Sequence, residues 1–459
     1  MIVKALAIFL GKTTRIGVLF QYALSSTQVV HRFVADAAFA DRLDGPTFSL
    51  SMLADNPENQ KVLWADVGST LMNGSYSPAN GWLLPAFFQN LLPEGVFRDH
   101  VAAQRGCDPK DHFEMLAACG GDLPSNVYAM PLELSREDLI HYITQDADAV
   151  EMTVTAEALE NGMSLSGVQP KVGVILAGGR YVGRTKMQDT HIIAKLPVVG
   201  QPKLPELEYL SLRLAAAAGV TVTEAHLAPL ADLAIEHGYD LGAVEAQTKF
   251  LAVTRYDRTP GGRVHCEDFA QILSVPPEQK YLGGSYLDVA QVLMAFPSLG
   301  EPAVHELLRR LVVNEMLGNP DMHLKNIGIW YPDGRTPALP PAYDIVGYAA
   351  YSHRTGHALH LLSGNRGKPK MTVTDAQQGK AAKPGLSPLL VRQFCDAAGI
   401  PEKPATAVIR KAVSQAVQLW PALIQHADVT EKQKEMLLAH FQQHALVQSL
   451  LRRQPAPAR

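Results

Sequence analysis

The sequence predicts an α+β chain, β-rich at its N-terminal end and mainly helical toward its C-terminal end. Short apolar runs separated by turn residues dominate as far as Pro131. Two β-type runs joined by Ala177-Gly178-Gly179 follow, and beyond about Thr259 apolar residues recur at helical spacing. With 459 residues, 47% of them hydrophobic, the chain is long enough for more than one core. Three units are expected, spanning 1–131, 132–258 and 259–459.

In the first unit, MIVKALAIFL reads as a strand, because its apolar run between Lys4 and Lys12 is too short for a signal peptide or a membrane span. IGVLF, VVHRFV, FSLSML and KVLWADV read as further β-type runs around a Gly45-Pro46 turn. LLPAFFQNLLPEGVFRDHVAAQ and HFEMLAACGG have spacing closer to helical, so one or two helices close the unit. In the second unit, VGVILAGGRYVGRT forms a hairpin, and HIIAKL and KFLAVTRYDR are strands. LPELEYLSLRLAAAAGV is a helix stopped by Gly219. In the third, LDVAQVLMAF, VHELLRRLVVNEML, LLVRQFCDAAGI, AVIRKAVSQAVQLWPALI and EKQKEMLLAHFQQHALVQSLL are helices, and RRQPAPAR is a tail.

A net charge of -4 leaves no global basic field, which argues against direct non-specific nucleic-acid binding as the main activity. The cysteines at 107, 119, 266 and 395 are far apart and form no zinc-type pair, as expected of a chain in a reducing cytoplasm without a structural metal. Gly11-Lys12-Thr13-Thr14 imitates the end of a P-loop. However, Leu6 stands where the first glycine is required, so the segment reads as a hairpin turn. His353, His357 and His360 have only loose metal-like spacing and read as surface or nucleotide-adjacent residues. The basic run from Arg366 to Lys370, with Lys380 and Lys383, reads as a solvated loop.

The strongest chemical constellation is Asp321-Met322-His323-Leu324-Lys325-Asn326, with a second aspartate at 344. An Asp five residues before an Asn is the spacing of a kinase catalytic loop. IGIWY as a strand, a turn at Pro332–Pro337 and a returning ALPPAYDIV would set Asn326 opposite Asp344, where their oxygens could share Mg²⁺. Asp321 is then suited to accept a hydroxyl proton, and Lys325 to neutralise charge on a phosphoryl group. Ser164-Leu-Ser166-Gly167-Val168-Gln169-Pro170-Lys171 is a small-residue loop at a strand start, where backbone amides and Lys171 can approach phosphate; an ordinary hairpin loop has the same look. Lys195, in an apolar strand, needs a partner, and Glu208 in the next helix is the candidate; a lysine snorkelling at a sheet edge is the alternative.

Taken in order, SLSGVQPKV, HIIAKLP, ELEYLSLRLA, FLAVTRYDR, NPDMHLKNIGIW and PAYDIV resemble the successive signatures of HipA-family toxin kinases, and FFQNLLPEGVFRD resembles a segment ahead of them. The resemblance implies a two-lobed protein-kinase-like fold that uses ATP and Mg²⁺. It makes Asp321 the catalytic base and Asn326 and Asp344 the metal ligands. The phosphate loop would run from Ser166 to Lys171, with Lys195 on the nucleotide and Thr254, Arg255 and Tyr256 at the adenine. His323 and Tyr343 would line the same pocket, and Ser164 would be the autophosphorylation position, with Ser166 a competitor. A phosphate on Ser164 would repel those of ATP, so the modified form is expected to be inactive.

Pro170 stands where the best-known member has an acidic residue, Met322 replaces a glycine, and an alanine precedes Lys195. The resemblance also implies a small helix-turn-helix antitoxin of the HipB type, which would carry any DNA contact. The expected substrate is a protein hydroxyl, with an aminoacyl-tRNA synthetase as the family precedent. Two rival readings are a catalytically weak antitoxin-binding co-repressor and a kinase of a lipid or small molecule.

Overall fold

The computed structural model describes residues 2–23, 28–40, 42, 44–66, 68–135, 150–151, 169–184, 189–352, 356–363, 383 and 385–452. Its first sheet runs in the order Val29–Ala35, Thr14–Ala23, Ile2–Leu10, Val127–Pro131, with neighbours antiparallel. Val150–Glu151 pairs in parallel with the start of the first strand. Gly11, at φ +68°, turns the chain between Leu10 and Thr14, which pair directly, so the P-loop look-alike is a hairpin turn.

Elsewhere in this unit helices replace expected strands. The first five residues of KVLWADV, Lys61–Ala65, belong to the helix Pro57–Ala65, because Asn56 caps it, Pro57 occupies its first turn, and the Trp64 indole donates to the Met52 carbonyl at 2.8 Å. FSLSML contains a 3₁₀ turn, Leu50–Met52, rather than a strand. Three helices, Ala86–Gln89, Gly95–Arg105 and His112–Cys119, close the unit, one more than expected. They cover a core in which Phe33, Phe48, Phe87 and Phe88 pack ring against ring.

The second sheet has the order Ala225–Pro229, Lys249–Thr254, Ile192–Lys195, Lys171–Ala177, Arg180–Val182, Leu233–Ala234. Gly178 and Gly179, both at positive φ, form the two-residue turn that joins Ala177 to Arg180, as their sequence predicts. The helix Leu204–Ala217 packs on this sheet, and Gly219 follows it at φ +90°.

The helical lobe is built from Tyr286–Ala295, Gly300–Leu317, Pro388–Ala398, Glu402–Gln425, Glu431–Gln443 and Ala445–Leu451. Trp420, fully buried, donates its indole N–H to the Leu214 carbonyl and so ties this lobe to the helix behind the sheet. The last expected helix is broken in two at His444, whose backbone is extended (φ −62°, ψ 132°) and whose ring lies 3.1 Å from the Glu315 carboxylate. His357 also meets that carboxylate and is buried, so it is not a surface or nucleotide-adjacent residue; His360 is exposed, and His353 lies outside the described residues. Burial raises the Glu315 pKa, and its histidine partners outweigh that and bring it down to about 2. No helix among the described residues is long and apolar enough to cross a membrane.

Candidate active site

Between the second sheet and the helical lobe lies a cavity of about 300 Å³, the scale of a small-ligand site. Its catalytic-loop wall begins where the helix Gly300–Leu317 ends. Gly318 there adopts the left-handed conformation that stops a helix, and the chain turns into Asn319-Pro320-Asp321. The Asn319 side chain accepts from the Asp321 amide at 3.1 Å, and the Asn326 amide donates to the Asp321 carbonyl at 2.8 Å, closing the 321–326 loop on itself. Met322 is buried, and its carbonyl accepts from Tyr286 at 2.9 Å, so the side chain that replaces a glycine is absorbed by packing.

The Asp321 side chain is 38% exposed, opening onto the cavity, and accepts a hydrogen bond from the Tyr281 hydroxyl. Loss of hydration raises its pKa and the neighbouring Asp344 adds to that, while the Tyr281 hydrogen bond works in the opposite direction. His323 packs edge-on to the Tyr281 ring, and burial pushes its pKa down to about 3, so the imidazole is neutral.

On the opposite wall, Lys195 donates to both Glu208 and Asp344, and Lys171 is its direct cross-strand neighbour. The expected Lys195–Glu208 pair is therefore formed, and the sheet-edge alternative fails because the lysine is 5% exposed. Two ammonium groups opposite one another would repel unless anions lie between them. Burial works against the Lys195 charge, and the two carboxylates overcome it, raising its pKa above the ordinary lysine range. Burial lowers the Lys171 pKa. It also lifts the Glu208 carboxyl above its usual value even beside Lys195, whereas Lys195 and Lys171 together hold Asp344 well below the carboxylate range.

Asp344 sits at φ +57°, a left-handed position that Asp tolerates better than most residues and that often marks a functional site. The expected hairpin does not carry it there. Trp330 and Ala338 exchange a pair of hydrogen bonds, but the strand Gly328–Tyr331 is laddered with His265–Asp268 instead. Pro340 and Pro341 lack the N–H groups that a continuing return strand would need. Asn326 and Asp344 nonetheless line the same cavity.

Thr254, Arg255 and Tyr256 line its far end, where the Tyr256 and Tyr343 rings stack with centroids 5.6 Å apart. The Arg255 guanidinium is engaged by Asp257 and Thr190, leaving the backbone and Tyr256 as the cavity-facing features of that segment. Gln169 lines the cavity and Pro170 is described beside it, while Ser164, Ser166, Gly167 and Val168 lie outside the described residues. Lys325 lines the cavity, and its ammonium is engaged from the N-terminal unit. Its side chain is 1% exposed, and its ammonium lies 3.0 Å from the Asn90 carbonyl and 3.1 Å from Glu94, both in the N-terminal unit.

Asn90, Lys280 and Tyr281 line the cavity and Glu94 stands behind them on Lys280 and Lys325; the sequence pointed to none of the four. FFQNLLPEGVFRD drew notice as a resemblance, but nothing in its composition points at a loop more than two hundred positions away.

Three polar atoms beside the cavity, Gln169 Nε2, His323 Nδ1 and Glu208 Oε2, are buried without a partner among the described residues, as a site built for a polar ligand would leave them. No group of three or more His, Cys, Asp or Glu among the described residues could hold a metal by itself. One carboxylate and one amide oxygen, at Asp344 and Asn326, suit Mg²⁺, which keeps waters and takes phosphate oxygens.

A two-lobed, protein-kinase-like fold with this cavity between sheet and helices defines the class of protein. The chain belongs to the HipA family: the HipA-like C-terminal domain matches residues 163–420 and the HipA N-terminal domain matches residues 6–130. A Sinorhizobium fredii protein named "Putative kinase Y4dM" is 36% identical over 315 residues, covering 67% of this chain and 73% of that protein. A second from the same organism, "Putative kinase Y4mE", is 30% identical over 290 residues, covering 58% of this chain and 64% of its own length. Among solved structures, HipA from Shewanella oneidensis MR-1, determined with HipB and its operator DNA, matches 97% of each chain at a TM-score of 0.64 and 18% identity, a likeness of fold.

Proposed function

We propose that this chain is an ATP-dependent serine/threonine-protein kinase of the toxin type. The observation that carries the reading is the convergence of Lys195, Glu208, Asp321, Asn326 and Asp344 on one cavity with stacked tyrosines at its far end. Tyr256 and Tyr343 offer a flat aromatic face to adenine, and Lys171 and Lys195 offer positive charge to the phosphates. Asn326 and Asp344 would hold Mg²⁺, which would supply charge neutralisation at the transferring phosphate. Asp321 orients the attacking hydroxyl and takes its proton as the oxygen bonds to the γ-phosphorus and the bond to ADP breaks.

The substrate proposed is a serine or threonine of another protein, with a translation component such as an aminoacyl-tRNA synthetase as the expectation. The partner proposed is a small HipB-type protein, by analogy with the Shewanella oneidensis complex. Ser164 is proposed as an inactivating autophosphorylation site on the charge argument given above. The co-repressor reading is disfavoured because it has no use for a catalytic aspartate and a lysine–carboxylate pair in one cavity.

Transfer of label from ATP in bacterial lysate, with phosphosite mapping and with EDTA as the control, tests the reading. Divalent-cation-dependent label on a lysate protein is expected, and label equally strong in EDTA would count against it.

The pH dependence adds a sharper expectation. Asp321 acts only when ionised, and its pKa lies above the ordinary aspartate value, so the acid limb of the rate profile lies above that value too. Tyr281→Phe removes the hydrogen bond that lowers this pKa and should move the limb to still higher pH, read from kcat between pH 4 and 8. An unmoved limb would mean that another group controls it.

A further inference from the structure

Glu94 is the N-cap of the helix Gly95–Arg105, yet its carboxylate makes no capping bond to that helix. Its two oxygens lie 3.1 Å from the Lys325 ammonium and 3.0 Å from the Lys280 ammonium. Lys325 belongs to the loop that carries Asp321 and Asn326, and Lys280 immediately precedes Tyr281, whose hydroxyl donates to Asp321. One carboxylate of the N-terminal unit therefore grips both segments that meet at Asp321. Asn90, on the preceding turn, reinforces the grip: its carbonyl and side-chain oxygen accept from Lys325 at 3.0 and 3.2 Å, and its amide donates to the Val275 carbonyl at 2.9 Å.

The Lys325 side chain is 1% exposed and that of Glu94 17%, so bulk water can replace neither partner fully, unlike at a surface ion pair. Burial opposes the Glu94 charge, and the two lysines overcome it, holding the carboxyl well below its ordinary range. A second acid, Asp268, stands 4.0 Å from Lys325, so the lysine sits in a mainly acidic surrounding.

Resting on the kinase reading above, we propose that Glu94 is a positioning residue for phosphotransfer, through which the N-terminal unit holds Lys325 and Lys280 so that Asp321 is aimed at the substrate hydroxyl. It acts through the two lysines. The matched span 163–420 is on this view not a complete catalytic unit, because the clamp on its catalytic loop comes from residue 94.

The test uses the full chain with Glu94→Gln, which keeps the shape and removes the charge, in protein whose circular dichroism matches wild type. Hydrogen–deuterium exchange of the backbone amides across 321–327 is expected to rise roughly tenfold, the scale of one lost charge-assisted hydrogen bond. The kcat for phosphotransfer is expected to fall by a similar factor, about tenfold, while KM for ATP stays within about twofold. In a cycle with Lys325→Met, Glu94→Gln should cost less in that background than it does in wild type, because only the Lys280 contact is left to lose, a coupling that a general loss of stability would not produce.

Unchanged exchange, or faster exchange with an unchanged kcat, would overturn the proposal. If Glu94→Gln does not fold, Lys280→Met removes one of the two contacts and is judged by the same criteria. A wild type showing no Asp321-dependent transfer would instead overturn the kinase reading, and the exchange comparison would still decide whether Glu94 holds the loop.

Discussion

Asp321→Ala should lower phosphotransfer by about 10²- to 10⁴-fold, the range over which a positioned general base contributes, while leaving ATP binding nearly intact. The separation follows from geometry. The carboxylate opens onto the cavity from the helical-lobe side, whereas the lysines suited to phosphate stand on the opposite sheet. The backbone contacts that close the loop run through the Asp321 amide and carbonyl, which alanine retains. Initial rates with labelled ATP, set beside a nucleotide titration of the same variant, measure both halves. A variant that transfers at the wild-type rate would remove Asp321 from the chemistry, and one that loses ATP binding as well would make it a structural residue.

Lys195→Met should have the second largest effect, and on two quantities at once. For phosphotransfer, loss of one charged contact to the nucleotide is worth about 1.5–3 kcal/mol, so kcat/KM should fall roughly 10- to 100-fold. For stability, the substitution leaves Glu208, 1% exposed, and Asp344 without their shared ammonium, and breaking a buried pair in this way costs about 3–5 kcal/mol.

The sign of the pH dependence follows from Glu208. Its folded pKa is already raised above the unfolded value by burial, and Lys195 is what opposes that rise. Without the lysine the rise grows, so the charged carboxylate penalises the fold at high pH and the penalty is relieved as pH falls through the raised pKa. Urea unfolding of wild type and variant at pH 8 and pH 5.5 should therefore show a smaller gap at pH 5.5. A gap that widens on acidification would mean that Glu208 is not the group left uncompensated.

The catalytic loop was legible because its chemistry is local. Asp321 and Asn326 are five positions apart, and the loop is closed by a hydrogen bond between them. The turns at Gly11 and Gly178-Gly179 were legible for a similar reason, since a tight turn with positive φ selects its own residues. The Lys195–Glu208 pair could be anticipated because a lysine in an apolar strand demands a nearby carboxylate.

Where expectation and structure part, residues outside the run itself outweighed its pattern, some a few positions upstream and some far away in sequence. KVLWADV has an apolar run fit for a strand, and Asn56 and Pro57 with the Trp64–Met52 bond put its residues Lys61–Ala65 in a helix. The periodicity around His444 is continuous, yet the helix breaks there, at a residue whose ring meets Glu315. Lys325 could be assigned a phosphoryl role from its place in the motif, but its ammonium is bound 235 positions away, at Asn90.

By itself the sequence determined the residue chemistry of the site, the β-rich to helical order of the chain and most of the sheet carrying Lys171 and Lys195, because these depend on side-chain type and on spacings of a few residues. Only the tertiary structure decided that Asp344 shares Lys195 with Glu208, how Asp344 reaches the cavity without the expected hairpin, and that Asn90 lines the cavity with Glu94 behind it on Lys325 and Lys280. Charges removed from water must find partners wherever packing brings them, and packing is set by the whole chain rather than by neighbours in sequence.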